Sequence, residues 1–225
     1  MQGLNRRALL GLLFVLLVMA ALLFLAAGTF HYWQAWTFLA VFGLSTLAIT
    51  LYLMRNDPEL LERRVYAGPT AEKETSQKLI QTITSLIFIA IMVVSALDVR
   101  FAWSRVPVYL AVAGDVLVAL GFLITFFVYR ENPFASATVQ IYPEQKVITT
   151  GLYATVRHPM YTGGLLMILG MPLALGSWWA LLGAPLFMPA GIWRIFEEEK
   201  LLTKSLSGYA EYKERVKYRL LPFVW

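Results

Sequence analysis

Two short segments in the C-terminal half of the sequence carry side chains that could bind a polar ligand. The first is Arg157-His158-Pro159, followed by Tyr161 and Gly163. Proline disfavours helical backbone in the residue before it and suits the first position of a helix, so a helix should begin at Pro159. The free amides and positive dipole end of that helix would face an anion, with Arg157 and His158 beside them. Gly163, one turn further on, lets a ligand or another helix approach the backbone.

The second segment is a run of three glutamates at positions 197–199, which begins three residues after Arg194. On a helix, Glu199 falls on the apolar stripe, and Glu198 lies one turn from Arg194. A carboxylate on an apolar face needs a partner, which is either a basic side chain or a polar ligand. The two explanations are compatible, because a salt bridge to Arg157 or Arg194 can coexist with ligand binding.

Each segment also has a purely structural explanation. Arg157 could be a cytoplasmic anchor, Tyr161 an interfacial side chain, and Gly163 a contact between helices. The first segment alone would favour this explanation. The presence of both segments favours a binding site instead.

Two other polar residues have weaker cases as functional residues. Asp115 lies inside an apolar stretch, where a carboxylate is a functional candidate by default. It is far from the two segments, however, and we interpret it as bonded to a Ser, Thr or Tyr of a neighbouring helix. His31 lies in an aromatic turn and is interpreted as an interfacial side chain. The chain has no Cys, so a thiolate metal site is excluded, and we expect no metal centre.

The elements that must position these residues are membrane spans. Charged residues make up 15% of the chain and hydrophobic residues 59%, whereas a soluble domain has about 25% charged residues. This composition excludes an ordinary cytosolic enzyme. Four stretches contain no charge except Asp115: residues 8–54, 79–97, 106–129 and 158–193. With about 20 residues for each crossing, breaks at 28–33 and 176–179 predict an all-α polytopic membrane protein with five to six transmembrane helices, the last two forming a helical hairpin.

The distribution of basic residues predicts the orientation of the chain. If the N-terminus is cytoplasmic and every span crosses, seventeen of the nineteen Lys and Arg residues lie on the cytoplasmic side, as expected for a membrane protein. We therefore expect both termini and the site in the cytoplasm, and a bacterial or archaeal inner membrane as the location. Arg6 and Arg7 before the first apolar stretch could also begin a signal peptide, but the length of the stretch favours a retained anchor.

The chain divides into two predicted parts. Residues 1–130 form transmembrane helices with a cytoplasmic loop at 55–78, in which Asp57-Pro58 can open a short helix. Residues 131–225 form a second module, which consists of a connector, the helical hairpin and a cytoplasmic amphipathic helix that begins at Arg194. In the connector, two strand-like runs at 138–141 and 146–149 predict a small hairpin or a loop.

The C-terminal pattern resembles the isoprenylcysteine carboxyl methyltransferase family and the related membrane phospholipid methyltransferases. The resemblance covers residues 132–222 and depends on two motifs at a fixed separation. They are Gly151-x-Tyr153-x-x-Val156-Arg157-His158-Pro159-x-Tyr161-x-Gly163 and Arg194-x-x-x-Glu198-Glu199-x-x-Leu202, followed by Tyr209-x-x-Tyr212 and Leu221-Pro222.

The resemblance implies a methyltransferase that uses S-adenosylmethionine and acts on a lipophilic or lipid-modified acceptor. It implies cofactor binding by His158, Tyr161, Gly163, Glu198 and Glu199. It also implies that Arg157 and Arg194 lie where cofactor and acceptor meet, as candidate catalytic residues. Membrane lipids are the expected surroundings, and the net charge of +5 reflects orientation rather than a nucleic-acid partner.

Several acceptors and one other enzyme class are compatible with the sequence. Carboxyl O-methylation of an isoprenylcysteine-like substrate is the first hypothesis, and N-methylation of a phospholipid or another small lipid is the second. A membrane reductase of the sterol type that uses NADPH is a third, because its C-terminal fold is similar. A transporter would need paired charges along the bilayer midplane, where the sequence has only Asp115.

Overall fold

The structure is a computed structural model, and it describes residues 2–225. These residues form eight α-helices and two short 3-10 helices, with no strand among them. The all-α class is therefore confirmed. The α-helices are α1 (Gln2–Ala27), α2 (Trp33–Asn56), α3 (Pro58–Val65), α4 (Thr75–Phe101), α5 (Val108–Glu131), α6 (Pro159–Ala174), α7 (Gly183–Ser205) and α8 (Tyr209–Arg215).

Four of these helices, α1, α2, α4 and α5, are long and apolar enough to cross a membrane. They coincide with the uncharged stretches of the first 130 residues, and the predicted break at 28–33 separates α1 from α2. α6 is a shorter apolar helix of 16 residues, with Pro172 close to its end. The total number of spans and their orientation stay predictions, because α6 and the apolar half of α7 are not among the four long candidates.

The C-terminal module differs from the predicted arrangement in one respect. We expected the second helix of the hairpin and the amphipathic helix to be separate, with the amphipathic helix beginning at Arg194. In the structure α7 runs without a break from Gly183 to Ser205 and contains both. Its first half is apolar and its second half carries the glutamate run, so a single helix connects the bundle to the polar site.

The connector between α5 and α6 is a loop and not a hairpin of strands. Neither strand-like run forms a strand, and two amides in and just after the first run donate to side chains instead. The amide of Val139 donates to Glu72 Oε2 at 3.2 Å, and the amide of Tyr142 donates to Gln145 Oε1 at 3.1 Å. The loop prediction is therefore confirmed, and the hairpin alternative is wrong.

The predicted helix start at Asp57-Pro58 is confirmed by α3. The Asp57 carboxylate caps the helix by accepting a hydrogen bond from the amide of Leu60 at 2.9 Å. Leu60 and Leu61 are buried against α1, α2 and α5, together with Leu53 and Val128. α3 therefore packs against one end of the bundle and is not a solvated linker.

Glycines place α5 and α6 in backbone contact. A Cβ atom at Gly121 would lie 2.5 Å from the carbonyl oxygen of Gly163, and one at Gly114 would lie 2.6 Å from that of Gly170. Because the two glycines of each helix are seven residues apart, they fall on one face, and no side chain fits between the helices. This contact crosses the predicted boundary at residue 130, although the division into two parts itself stays a prediction.

A buried carboxylate connects the loops at the other end of the bundle. Asp98, at the end of α4, is fully buried. Its oxygens accept hydrogen bonds from the amide and the hydroxyl of Ser104, both at 2.6 Å, and from the hydroxyl of Ser177 at 2.5 Å. This network fixes the turn that follows α6, so that α6 is held at both of its ends.

We expect Gly121→Ala to destabilise the protein by about 1–3 kcal/mol, because the added methyl group overpacks the α5–α6 contact. Gly164→Ala is the matched control, since a Cβ atom there meets nothing within 4 Å. Thermal unfolding in one detergent should show a lower midpoint for the first variant, and an unchanged or higher midpoint for the second. Equal midpoints for the two variants would contradict the packing role of Gly121.

Candidate functional site

The site is built around the first turn of α6. As predicted, Pro159 is the first residue of the helix, and His158 precedes it in a non-helical conformation. The C-terminal tail holds this turn in place through main-chain hydrogen bonds. The amides of Arg157 and His158 donate to the carbonyl oxygens of Tyr218 and Arg219, each at 2.9 Å. The tail thus forms one wall of the site, which the sequence patterns did not predict.

Glu199 is a buried carboxylate that contacts three basic side chains. Its carboxylate is 4% exposed. It accepts a hydrogen bond from Arg157 Nε at 2.7 Å and another from Arg219 Nε at 3.2 Å, and His158 Nε2 lies 3.3 Å away. Burial alone would raise the pKa of Glu199, but the hydrogen bonds from His158 and Arg157 outweigh it and lower that pKa to about 2. The side chain is therefore a permanent anion at neutral pH and a poor base.

Arg157 binds main-chain carbonyl groups of the tail as well as Glu199. One of its terminal nitrogens, Nη1, donates to the carbonyl oxygen of Val216 at 2.7 Å and to that of Lys217 at 2.9 Å. The residue is 6% exposed. The predicted salt bridge between a glutamate and Arg157 is therefore confirmed. The fork geometry of arginine lets one side chain join α6, α7 and the tail.

Glu198 points to a second group of side chains. The hydroxyl of Tyr161 donates to Glu198 Oε2 at 2.7 Å, and Arg194 Nε donates to the Tyr161 oxygen at 3.1 Å. The other carboxylate oxygen, Oε1, lies 3.9 Å from His158 Nδ1 and accepts no hydrogen bond from any other side chain within residues 2–225. Glu198 therefore keeps an acceptor free for a ligand.

Arg194 fastens the loops that cover the site. Its guanidinium donates to Glu72 Oε1 at 2.7 Å, to Gln77 Oε1 at 2.9 Å and to the carbonyl oxygen of Ala137 at 3.1 Å. Glu72 is 3% exposed and also binds the amide of Val139 in the connector. Arg194 thus connects α7 with the loop before α4 and with the connector.

A cavity lies between these groups and the connector. It has about 850 Å³ of empty space, which includes solvent at its open side. Its lining combines polar groups at one end with an apolar wall. The lining includes Arg157, His158, Tyr161, Arg194, Glu198, Tyr153, Tyr209, Asn132, Met160, Ile141, Val147, Leu201, Leu202 and Leu206.

The structure brings most of the predicted site residues together around the cavity, but Gly163 and Glu199 do not line it. Arg157, His158, Tyr161, Arg194 and Glu198 line the cavity. Glu199 lies behind this lining and holds Arg157 and His158. Gly163 is absent from the lining and contacts the backbone of α5, as the structural explanation of that glycine requires. The roles of all seven residues in binding or catalysis stay predictions.

The two weaker candidates lie away from the cavity. Asp115 is buried in α5 beside Thr37 of α2. Within residues 2–225, however, its Oδ1 has no hydrogen-bond partner. His31 is exposed in the turn between α1 and α2. Throughout the same range, no group of three or more His, Asp or Glu side chains is arranged to hold a metal ion.

Several residues of the site were missed by the sequence analysis. Glu72 and Gln77 lie more than a hundred residues from Arg194, and their segment has the composition of an ordinary polar loop. Arg219 and the tail carbonyl groups carry no local signal either. Tyr153 and Tyr209 could have been singled out, because both belong to the quoted motifs and line the cavity.

Residues 109–208 match a protein family described as phospholipid methyltransferase. The matched segment begins in the first turn of α5 and ends between α7 and α8, so it contains both sequence motifs of the site. This region therefore belongs to the family of membrane methyltransferases that includes the isoprenylcysteine carboxyl and the phospholipid enzymes, and the resemblance is confirmed. No curated protein matches the chain.

We expect Glu199→Gln to destabilise the protein by about 3–5 kcal/mol, because it leaves Arg157 and Arg219 buried without their counter-ion. The matched control is Glu197→Gln, which removes a charge from the same helix. Within residues 2–225, the Glu197 side chain takes no part in the hydrogen bonds around Glu199. Chemical unfolding in detergent at neutral pH measures both effects. A similar stability for the two variants would contradict the role of Glu199.

The same carboxylate predicts a dependence of stability on pH. Its folded pKa of about 2 lies below the ordinary value of 4.5, so its contribution is complete above about pH 4.5 and is lost as the pH falls towards 2. The stability difference between the unsubstituted protein and Glu199→Gln should therefore be constant from pH 5 to 7 and shrink below that range. A difference that shrinks at higher pH would contradict this assignment.

Proposed function

We propose that this chain, whose residues 109–208 belong to the phospholipid methyltransferase family, is a multi-pass membrane methyltransferase that uses S-adenosylmethionine and acts on a lipophilic acceptor. The observation that carries the proposal is the cavity at the start of α6. It combines an available carboxylate oxygen of Glu198 with an apolar wall, directly beside a bundle of membrane-spanning helices. Such a cavity suits a cofactor with both charged and flat apolar parts.

The residues of the cavity fit the chemical groups of S-adenosylmethionine. Its amino group and ribose hydroxyls need hydrogen-bond acceptors, which Glu198 supplies at the polar end. Its carboxylate is favoured by the positive dipole end at the start of α6. Tyr209 is an independent sign of a ligand, since its buried hydroxyl has no partner within the described residues 2–225. Glu198, Tyr161 and His158 would hold the charged part of the cofactor.

The cofactor supplies a methyl group on a positively charged sulfur, ready for transfer to a nucleophile. What remains for the protein is to hold the two reactants in line and to keep water away. Tyr161 fixes Glu198 by its hydrogen bond, and Arg157 and Glu199 fix the main chain that carries His158. Arg194 closes the loops over the cavity through Glu72 and Ala137. In this proposal both arginines position other groups, and neither exchanges a proton.

For the acceptor we propose a carboxylate of the isoprenylcysteine type. A carboxylate is already ionised and needs no base, whereas a protonated amine has to lose a proton before it can attack. Glu199 is a poor base because its pKa is low, and in this proposal Glu198 is occupied by the cofactor. A phospholipid amine is the second candidate, and the description of the matched family favours it.

We further propose that the site faces the cytoplasm. The distribution of Lys and Arg supports this orientation, with seventeen of nineteen on the side of the site if the long helices cross. On that side the soluble cofactor can reach the cavity, while the acceptor stays in the membrane. A bacterial or archaeal inner membrane is the location that we propose.

A labelling experiment separates the two acceptors. Membranes that contain the protein are incubated with S-adenosylmethionine carrying a radiolabelled methyl group, and the labelled lipid is treated with mild base. We expect base to release the label, because methyl esters hydrolyse and methylamines do not. Label that survives the treatment would overturn the carboxylate acceptor and support the amine. Purified protein that binds NADPH but not S-adenosylhomocysteine would overturn the methyltransferase itself.

A matched pair of variants tests the binding site. We expect Glu198→Gln to weaken the binding of S-adenosylhomocysteine by about tenfold or more, because it removes the available charged acceptor. Glu197→Gln, one position away on α7, should bind normally. Titration calorimetry on detergent-solubilised protein measures both affinities. Equal affinities for the two variants would exclude Glu198 from the site.

A further inference from the structure

Tyr209 lines the cavity, and its hydroxyl is an isolated polar group. Tyr209 begins α8 and is 4% exposed. Its hydroxyl is buried and has no hydrogen-bond partner among residues 2–225. A buried polar group without a partner destabilises the folded protein, so its presence needs an explanation. A ligand that completes its hydrogen bond would supply one.

The surroundings of this hydroxyl restrict the kind of ligand group that can reach it. Tyr209 packs in a cluster with Leu206 and Tyr212, against Ile141, Val147 and Leu202. Four of these neighbours, Leu206, Ile141, Val147 and Leu202, also line the cavity. The hydroxyl is therefore the polar point of an apolar wall. A flat, largely apolar ring with hydrogen-bond acceptors at its edge matches such a wall.

We propose that the Tyr209 hydroxyl donates a hydrogen bond to a ring nitrogen of the adenine base of S-adenosylmethionine, and that the apolar wall around it binds the face of that base. This inference rests on the proposed function and deepens it. Adenine is the one flat heteroaromatic part of the cofactor, and its ring nitrogens are acceptors without charge. The charged part of the cofactor then extends from the base towards Glu198 and His158.

The electrostatic surroundings keep this hydroxyl protonated. Burial and the nearby carboxylates of Glu199 and Glu198 raise the pKa of Tyr209 well above its ordinary value of 10. The group is thus a donor over the whole physiological range. The same carboxylates would repel an anionic ligand group at this position, which agrees with a neutral ring nitrogen as the acceptor.

Tyr212 offers an internal control of the same residue type. It lies three positions further along α8 and is also buried, but its hydroxyl donates to the carbonyl oxygen of Tyr153 at 2.8 Å. Removal of each hydroxyl is the same chemical change. The expected effects on stability and on binding are opposite, because one hydroxyl has a partner in the protein and the other lacks one.

The test compares Tyr209→Phe and Tyr212→Phe in the full chain, solubilised in one detergent. Titration calorimetry measures the affinity for S-adenosylhomocysteine and for adenosine, and thermal unfolding without ligand measures stability. For Tyr209→Phe we expect about a tenfold loss of affinity for both ligands and an unchanged or higher unfolding midpoint. For Tyr212→Phe we expect a lower midpoint.

The outcomes separate this inference from the proposed function. If the unsubstituted protein does not bind S-adenosylhomocysteine, the proposed function fails, and the inference fails with it. If the unsubstituted protein binds and Tyr209→Phe binds equally well, only the inference is overturned. A Tyr209→Phe variant that loses affinity for S-adenosylhomocysteine but keeps it for adenosine would assign the hydroxyl to another part of the cofactor and overturn the adenine contact.

Discussion

Glu199 and its two arginines hold together three separate parts of the chain. The carboxylate lies on α7, Arg157 lies just before α6, and Arg219 lies in the tail after α8. Because Glu199 and Arg157 are buried, loss of the carboxylate would leave both arginines without a counter-charge in a medium of low polarity. The positions of His158, of the tail and of the first turn of α6 depend on this cluster. The shape of the cavity therefore depends on the ion pairs of Glu199, which lie behind the residues that line it.

The helical bundle provides the second constraint, because it fixes the position of α6 along α5. Glycines let α6 contact the backbone of α5, and the Asp98 network holds the turn beyond its far end. A helix of 16 residues fixed in this way cannot slide along its neighbour. Its first turn stays level with the charged half of α7, and Glu198 remains within reach of Tyr161. Packing deep in the bundle thus sets the geometry of polar groups at its edge.

The fold and the inner part of the site were accessible from the sequence because their signals are local. Uncharged stretches predicted the long helices, and proline predicted the start of α6. Helical spacing placed Glu198 and Glu199 towards the apolar side of the helix that contains Arg194. The partners Glu72, Gln77 and Arg219 could not be found in this way. Each of them reaches the site through tertiary contacts over long separations in sequence, and ordinary loops carry the same residue types. The continuity of α7 was also missed, since a change in composition at Arg194 does not interrupt backbone hydrogen bonds.

The main-chain contact between the tail and the start of α6 has a consequence for the biosynthesis of the protein. Tyr218 and Arg219 supply the carbonyl groups that hold Arg157 and His158, and Arg219 supplies the second charge for Glu199. These residues are synthesised after every helix of the bundle. The spans can therefore enter the membrane and pack while the cavity is still incomplete. The site assembles only once residues 218 and 219 have left the ribosome, so a nascent chain already embedded in the bilayer has no finished pocket for a ligand.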